Sequence, residues 1–348
     1  MMVVTETKKD SGHFEQFDGL RGLAIIFVVL CHCKLLILGG WIVDGIFFTL
    51  AGFFLINPYR EKNEEKFLSL WGILKFYKKR AIRILPAYYL ILLWVRIQSG
   101  YLWIPRDTFV GLLYFGEIWG TLWFMYVYFW LMFIIPYFFL VLQLLAKKIK
   151  ALHNDLICAT VFFVLAAAFR ITFLLLNVYD IRLEQLMTGI SAGYICRYVR
   201  QNSKLKVSLE KHHIIGETAV LIIFVLLLFF SSETVLRSIN PLWGDYSVGY
   251  KYLLITACVM SFVIMHLYFD PEGLSSKLLR SKIMVFLGKI SYTVYLIHIF
   301  IMLQINVSSN IFWFMLTFSL SIVLAYLIDS VISFVIEKCK MIMPSKTE

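Results

Sequence analysis

The sequence predicts an all-α fold, a polytopic helix bundle in a membrane, and three observations carry that expectation. Of its 348 residues, 60% are hydrophobic and 17% aromatic, and the mean hydropathy of +0.80 is far above that of an ordinary soluble domain. The apolar residues fall into runs near the roughly 20 residues needed to cross a hydrocarbon core. Lys and Arg gather in alternate connections between those runs, as the positive-inside bias requires. The formal charge of +11 is therefore topological. It forms no basic patch interleaved with stacking aromatics, which argues against a nucleic-acid partner.

Ten spans are expected, at 20–38, 41–57, 84–98, 119–142, 155–178, 183–199, 214–232, 250–268, 283–303 and 310–336. The run 41–57 is marginal in length, and 108–115 reads as a re-entrant or interfacial piece. With the amino terminus inside, the inner segments hold clusters such as Lys78, Lys79, Arg80 and Arg83, and Arg197, Arg200, Lys204 and Lys206. Both termini, 1–19 and 337–348, are expected to be cytoplasmic tails. The polar stretches near 58–83 and 200–213 are too short for a soluble domain, so 1–348 reads as one integral-membrane domain. The first apolar run follows a polar tail without a small-residue cleavage site and reads as a retained span. No internal repeat of the kind that builds transporters is evident. All six cysteines lie in or beside apolar runs and suggest no disulfide framework.

The first span carries the most informative stretch, FDGLRGLAIIFVVLCHC, residues 17–33. Arg21 and His32 are eleven residues apart, which on a helix leaves them within about 20° of one line and roughly 16 Å apart axially. Asp18 falls within about 40° of the same line if the helix extends that far back. With a span running to 38, His32 lies past the middle of the hydrocarbon core, where an ionisable group needs a cavity, a partner or a function. A neutral imidazole there is a general base toward a hydroxyl or a helix-packing hydrogen bond. Cys31 and Cys33 cannot join His32 around a metal, because neighbours on a helix diverge by about 100°. No metal site is assigned.

Arg80 and Arg83, in FYKKRAIRILPAYY, are spaced i, i+3 and share a helix face. Paired guanidinium groups suit bidentate phosphate recognition, for instance of coenzyme A, although anionic lipid also draws basic residues to this position. In GKISYTVYLIHIFI, Ser291, Tyr295 and His298 form one polar stripe, open to either packing or substrate lining. Trp119, Trp123, Tyr126 and Trp130 form an aromatic stripe in the fourth span. Arg170, Asp329 and Asp44 lie inside apolar runs and each needs a partner or water. Arg182 and Glu184 stand at the outer end of the sixth span, at a mouth or on the surface. His266, near the inner end of another span, reads as interfacial.

Together these stretches resemble the membrane-bound acyltransferase-3 family. FDGLRGLAIIFVVLCHC looks like its first-helix signature, with an arginine eleven residues before a histidine, and FYKKRAIRILPAYY looks like its Arg-x-x-Arg before a proline. GIFFTLAGFFLI, TLWFMYVYFWLMFIIP, DIRLEQLMTGISAGYI and SYTVYLIHIFI are similar to later family segments, in the family's order. The chain departs from the pattern at Ala51, where serine is common, at Asp44, set one residue further from Phe47 and Phe48, and at Tyr128, where many members carry a glutamate.

The resemblance implies acyl transfer, with acetyl-coenzyme A as donor substrate and no tightly bound cofactor. The implied acceptor is a hydroxyl of a cell-surface polysaccharide or its lipid-linked precursor, and the implied place is the inner membrane. His32 and Arg21 would be catalytic, Arg80 and Arg83 would hold the donor, and Asp18, Asp44, Trp123, Arg170, Arg182, Ser291, Tyr295 and His298 are candidates to line the substrate path. The rival reading is a transporter or exporter of a lipid-linked glycan, which intramembrane Arg170, Asp329 and His32 would also suit.

Overall fold

The computed structural model describes residues 14–35, 40–56, 58, 63–98, 122–178, 181–230, 238–239, 252–305 and 307–342, which are almost wholly helical and contain no strand. The helices are α1 (Glu15–His32), α2 (Gly40–Ile56), α3 (Leu70–Gln98), α4 (Trp123–Ala146), α5 (Asp155–Leu175) and α6 (Leu183–Gln201). They continue as α7 (Ser203–Lys211), α8 (His213–Phe230), α9 (Leu253–Phe269), α10 (Leu274–Leu279), α11 (Lys282–Gln304) and α12 (Asn310–Ile342). Among the described residues, α4, α5, α11 and α12 are long and apolar enough to cross a membrane, and α2, α8 and α9 contain shorter apolar stretches. Leu93, Val164, Ile222 and Val323 are each more than half exposed. Such outward apolar side chains give a surface suited to lipid.

Two expected boundaries move. The run 84–98 is only the second half of α3, which begins at Leu70 and carries Pro86 in its interior. The first helix stops at His32, well before 38, although the apolar residues continue. Its end is a Schellman arrangement: the Leu35 amide donates to the Leu30 carbonyl at 3.1 Å and the Lys34 amide to the Cys31 carbonyl at 3.0 Å. Lys34 takes φ +57°, the left-handed conformation that this C-terminal motif demands. His32 is therefore the last helical residue, and its side chain is exposed.

α1 packs along α11, α6 lies against α5, α2 and α9, and α12 covers α11. The α1–α11 seam is close because glycines face it. A Cβ on Gly288 would collide with the backbone of Asp18, and one on Gly22 with the Met284 carbonyl; small residues let helix backbones approach in this way. Tyr292 of α11 donates to the Ile84 carbonyl of α3 at 2.9 Å, and Tyr77 of α3 donates to the Phe133 carbonyl of α4 at 2.7 Å. The first bond ties α3 to α11 and the second ties it to α4. At one end of α6, Arg197 donates to both oxygens of Glu64, at 2.8 and 2.6 Å, and to both of Asp155, at 2.9 and 2.6 Å.

Candidate active site

Three guanidinium groups from two helices, Arg21, Arg80 and Arg83, stand near one end of α1, and Tyr128 joins two of them, Arg21 and Arg80. On α1, Arg21 donates to Asp18 at 2.6 Å and lies over the Phe54 ring of α2 at 5.5 Å. Asp18 is buried against the α11 seam, which holds Arg21 in place. Arg83 of α3 and Tyr128 of α4 are within electrostatic range of Arg21. Arg80, one turn from Arg83, donates to the Tyr128 hydroxyl and stands over the Phe76 ring at 4.5 Å. Arg83 is exposed and Arg80 half-buried. Like charges brought this close repel one another, and an anion such as a phosphate relieves the repulsion while matching the planar donors.

At the other end of α1, His32 faces His298 of α11 with ring centroids 5.2 Å apart. His298 is fully buried. Its Nδ1 lies 2.7 Å from the Tyr295 carbonyl and 3.2 Å from that of Val294. Both partners are acceptors, so Nδ1 carries the proton and donates, which leaves Nε2 with a lone pair. That Nε2 is buried and has no hydrogen-bond partner among the described residues.

A file of rings connects the two ends. Tyr128 stacks on Phe124 at 6.0 Å, Phe124 lies 5.2 Å from Tyr295, and Tyr295 lies 5.8 Å from His298. Phe124 also meets Phe48 of α2 at 4.6 Å. An apolar, polarisable wall thus runs from the arginines to the histidines.

The other candidates divide. Tyr295 joins the ring file, whereas Ser291 is buried and donates to the Gly288 carbonyl at 2.8 Å, a packing bond. Arg182 is not a surface residue: it is 1% exposed, with its guanidinium over the Trp123 ring at 4.8 Å. Buried Arg170 donates to buried Glu184 at 3.3 Å, so the charge of one offsets that of the other. Asp329 accepts from Thr293 at 2.6 Å. The side chain of Asp44 and all of Trp119 lie outside the described residues. Tyr126 and Trp130 point outward, 45% and 41% exposed, so the aromatic stripe is split between wall and surface.

A profile of the acyltransferase domain matches residues 14–334, which takes in the arginine cluster, the ring file and the histidine pair. The chain belongs to the acyltransferase-3 family. Comparison with curated proteins and with solved structures finds no match. In this acyltransferase, sequence reasoning missed Phe124, which shares an aromatic run with residues that face outward. Tyr128 was noted only as a departure, and its contact with Arg80 gives it a place at the arginine cluster.

Proposed function

We propose that this acyltransferase moves acetyl from acetyl-coenzyme A to a hydroxyl of a cell-surface polysaccharide or its lipid-linked precursor. In this reading the chain is one ten-span domain of the inner membrane with both termini cytoplasmic. The observation that carries the proposal is the ring-lined connection between three arginines and a histidine pair at opposite ends of α1. Arg80, Arg83 and Arg21 hold the donor's phosphates on the cytoplasmic side, and the thioester arm extends along Tyr128, Phe124 and Tyr295. Arg21 and His32 stand roughly 16 Å apart along the helix, so the donor arm and not the acceptor bridges the distance.

His32 takes the proton of the acceptor hydroxyl as its oxygen attacks the thioester carbonyl. Collapse of the tetrahedral intermediate forms the ester and breaks the C–S bond, and the leaving thiolate recovers the proton from His32. His298 positions His32, because its open Nε2 lone pair can accept an N–H from the neighbouring ring and turn the second nitrogen of His32 toward the acceptor. Exposure of His32 at a helix end gives the acceptor access without entry into the bundle. The glycan-exporter reading loses ground because Arg170 and Asp329 each have a protein partner.

The test is acetyl transfer by purified protein in vesicles, with labelled acetyl-coenzyme A and a surface glycan. His32→Ala is expected to reduce transfer at least about a hundredfold, in line with loss of a general base. Undiminished transfer by His32→Ala removes the base assignment. In cells, NMR of the surface glycan with and without the gene separates the two functions: lost O-acetyl signals support transfer, and lost glycan with acetylation intact supports export.

A further inference from the structure

Away from the histidine pair, α8, α9 and α10 meet in a polar group that acyl transfer does not use. His266 and Asp270 are spaced i, i+4 at the end of α9, which places them on one face. His266 Nε2 lies 2.8 Å from Glu217 Oε2 on α8. Glu217 also accepts from the Ser275 amide at 2.5 Å and from the Ser275 hydroxyl at 3.0 Å, so its carboxylate is fixed in orientation. One ligand atom from each of Glu217, His266 and Asp270 lies within 4.8 Å of the other two. Asp270 Oδ2 is shielded from solvent and has no hydrogen-bond partner among the described residues.

Two glycines let backbone close on this group without filling it. A Cβ on Gly273 would come within 2.7 Å of both Asp270 Oδ2 and Glu217 Oε2, and one on Gly216 within 2.7 Å of His266 Nδ1. The two carboxylate oxygens therefore border a single space that no side chain enters at residue 273. Adjacent carboxylates repel in such a place unless a proton or a cation joins them. Ligand atoms around a tetrahedral ion with bonds of about 2.0–2.1 Å stand about 3.3 Å apart, a separation that small side-chain rotations reach here. One imidazole nitrogen with two carboxylate oxygens suits Zn²⁺ or Mn²⁺, whereas Ca²⁺ wants about six to eight oxygens.

We propose that Glu217, His266 and Asp270 form a divalent-cation site of the Zn²⁺ or Mn²⁺ class that clamps α8 and α9 to the turn before α10. α10 packs on α1, where Gly19 lies against the Leu279 backbone, so the clamp bears on the helix that carries Asp18 and Arg21. The proposal stands independently of the acyl-transfer reading.

The test uses the full-length protein in detergent, stripped with chelator, incubated separately with Zn²⁺ and Mn²⁺, freed of excess ion and measured for metal content and thermal unfolding. The expected result is about one equivalent of one of the two ions per chain, with Tm lowered by chelator and restored by that ion. Asp270→Asn and His266→Ala each weaken binding more than about tenfold, while Glu272→Gln, at an exposed carboxylate nearby, leaves it intact. Should the variants fail to fold, the unaltered chain decides. The proposal is overturned if that chain retains no ion and its Tm responds to neither chelator nor metal, or if binding survives in both Asp270→Asn and His266→Ala.

Discussion

At the scale of single residues, the arginine cluster offers the sharpest discrimination. Arg80 and Arg83 carry the same charge, but among the described residues it is Arg80 that is braced by an aromatic ring and by the Tyr128 hydroxyl. A braced guanidinium presents its planar fork in one orientation, and lysine cannot reproduce that fork. Arg80→Lys is therefore expected to raise the KM for acetyl-coenzyme A about 10–100-fold, the value of one to two charge-assisted bonds, with a smaller change in kcat. Tyr128→Phe releases the brace while keeping the ring wall, and its KM should rise less. Initial rates in vesicles across a range of donor concentrations check both. Unchanged KM in both variants would move the donor site elsewhere. Arg21, Arg80 and Arg83 were legible as candidates because their spacing places them on helix faces at a basic end. Tyr128 as their partner was not, since a contact between α3 and α4 leaves no periodic trace in either segment.

At the scale of elements, the end of α1 decides where His32 sits. The apolar residues continue beyond His32 without glycine or proline, so periodicity extends the span to 38, and only the backbone turn at Lys34 brings it to a stop. A left-handed lysine costs roughly 1–2 kcal/mol, which two turn hydrogen bonds and the burial of Cys33 offset. Lys34→Gly should accordingly keep full activity and leave stability unchanged or raise it by up to about 1 kcal/mol. Lys34→Pro fixes φ near −65° and removes the amide that donates to Cys31, a change worth about 3 kcal/mol, and it should abolish transfer by displacing His32. Thermal unfolding and transfer assays on the two variants check this; equal activity in both would mean that the turn does not position His32. The same reasoning explains what was readable in α11. Its polar stripe marks an inward face, but the division of labour within it, Ser291 packing and His298 facing His32, depends on which helix arrives opposite, and glycines at the seam set that choice.

At the scale of the whole molecule, the helical class and its membrane character were legible from composition and apolar runs, because lipid constrains every span in the same way. The tie between α5, α6 and the Asn63–Leu68 turn was not. Arg197 belongs to a basic cluster that reads as inner-loop charge, yet it is 4% exposed and bonded to four carboxylate oxygens. Glu64 and Asp155 come from distant parts of the chain, so no local pattern links them to it. A buried ion network of this kind is costly to break and cheap to replace. Arg197→Met leaves two carboxylates facing each other across an apolar side chain and is expected to cost about 3–5 kcal/mol, read as a large fall in Tm in detergent. The triple variant Arg197→Met, Glu64→Leu, Asp155→Leu removes every charge and should recover most of that loss. Acetyl transfer in the triple variant should return with stability, because none of the three residues belongs to the arginine cluster or the histidine pair. A triple variant as unstable as Arg197→Met would show instead that the ion network itself, and not the avoidance of unpaired charge, holds this end of the bundle together.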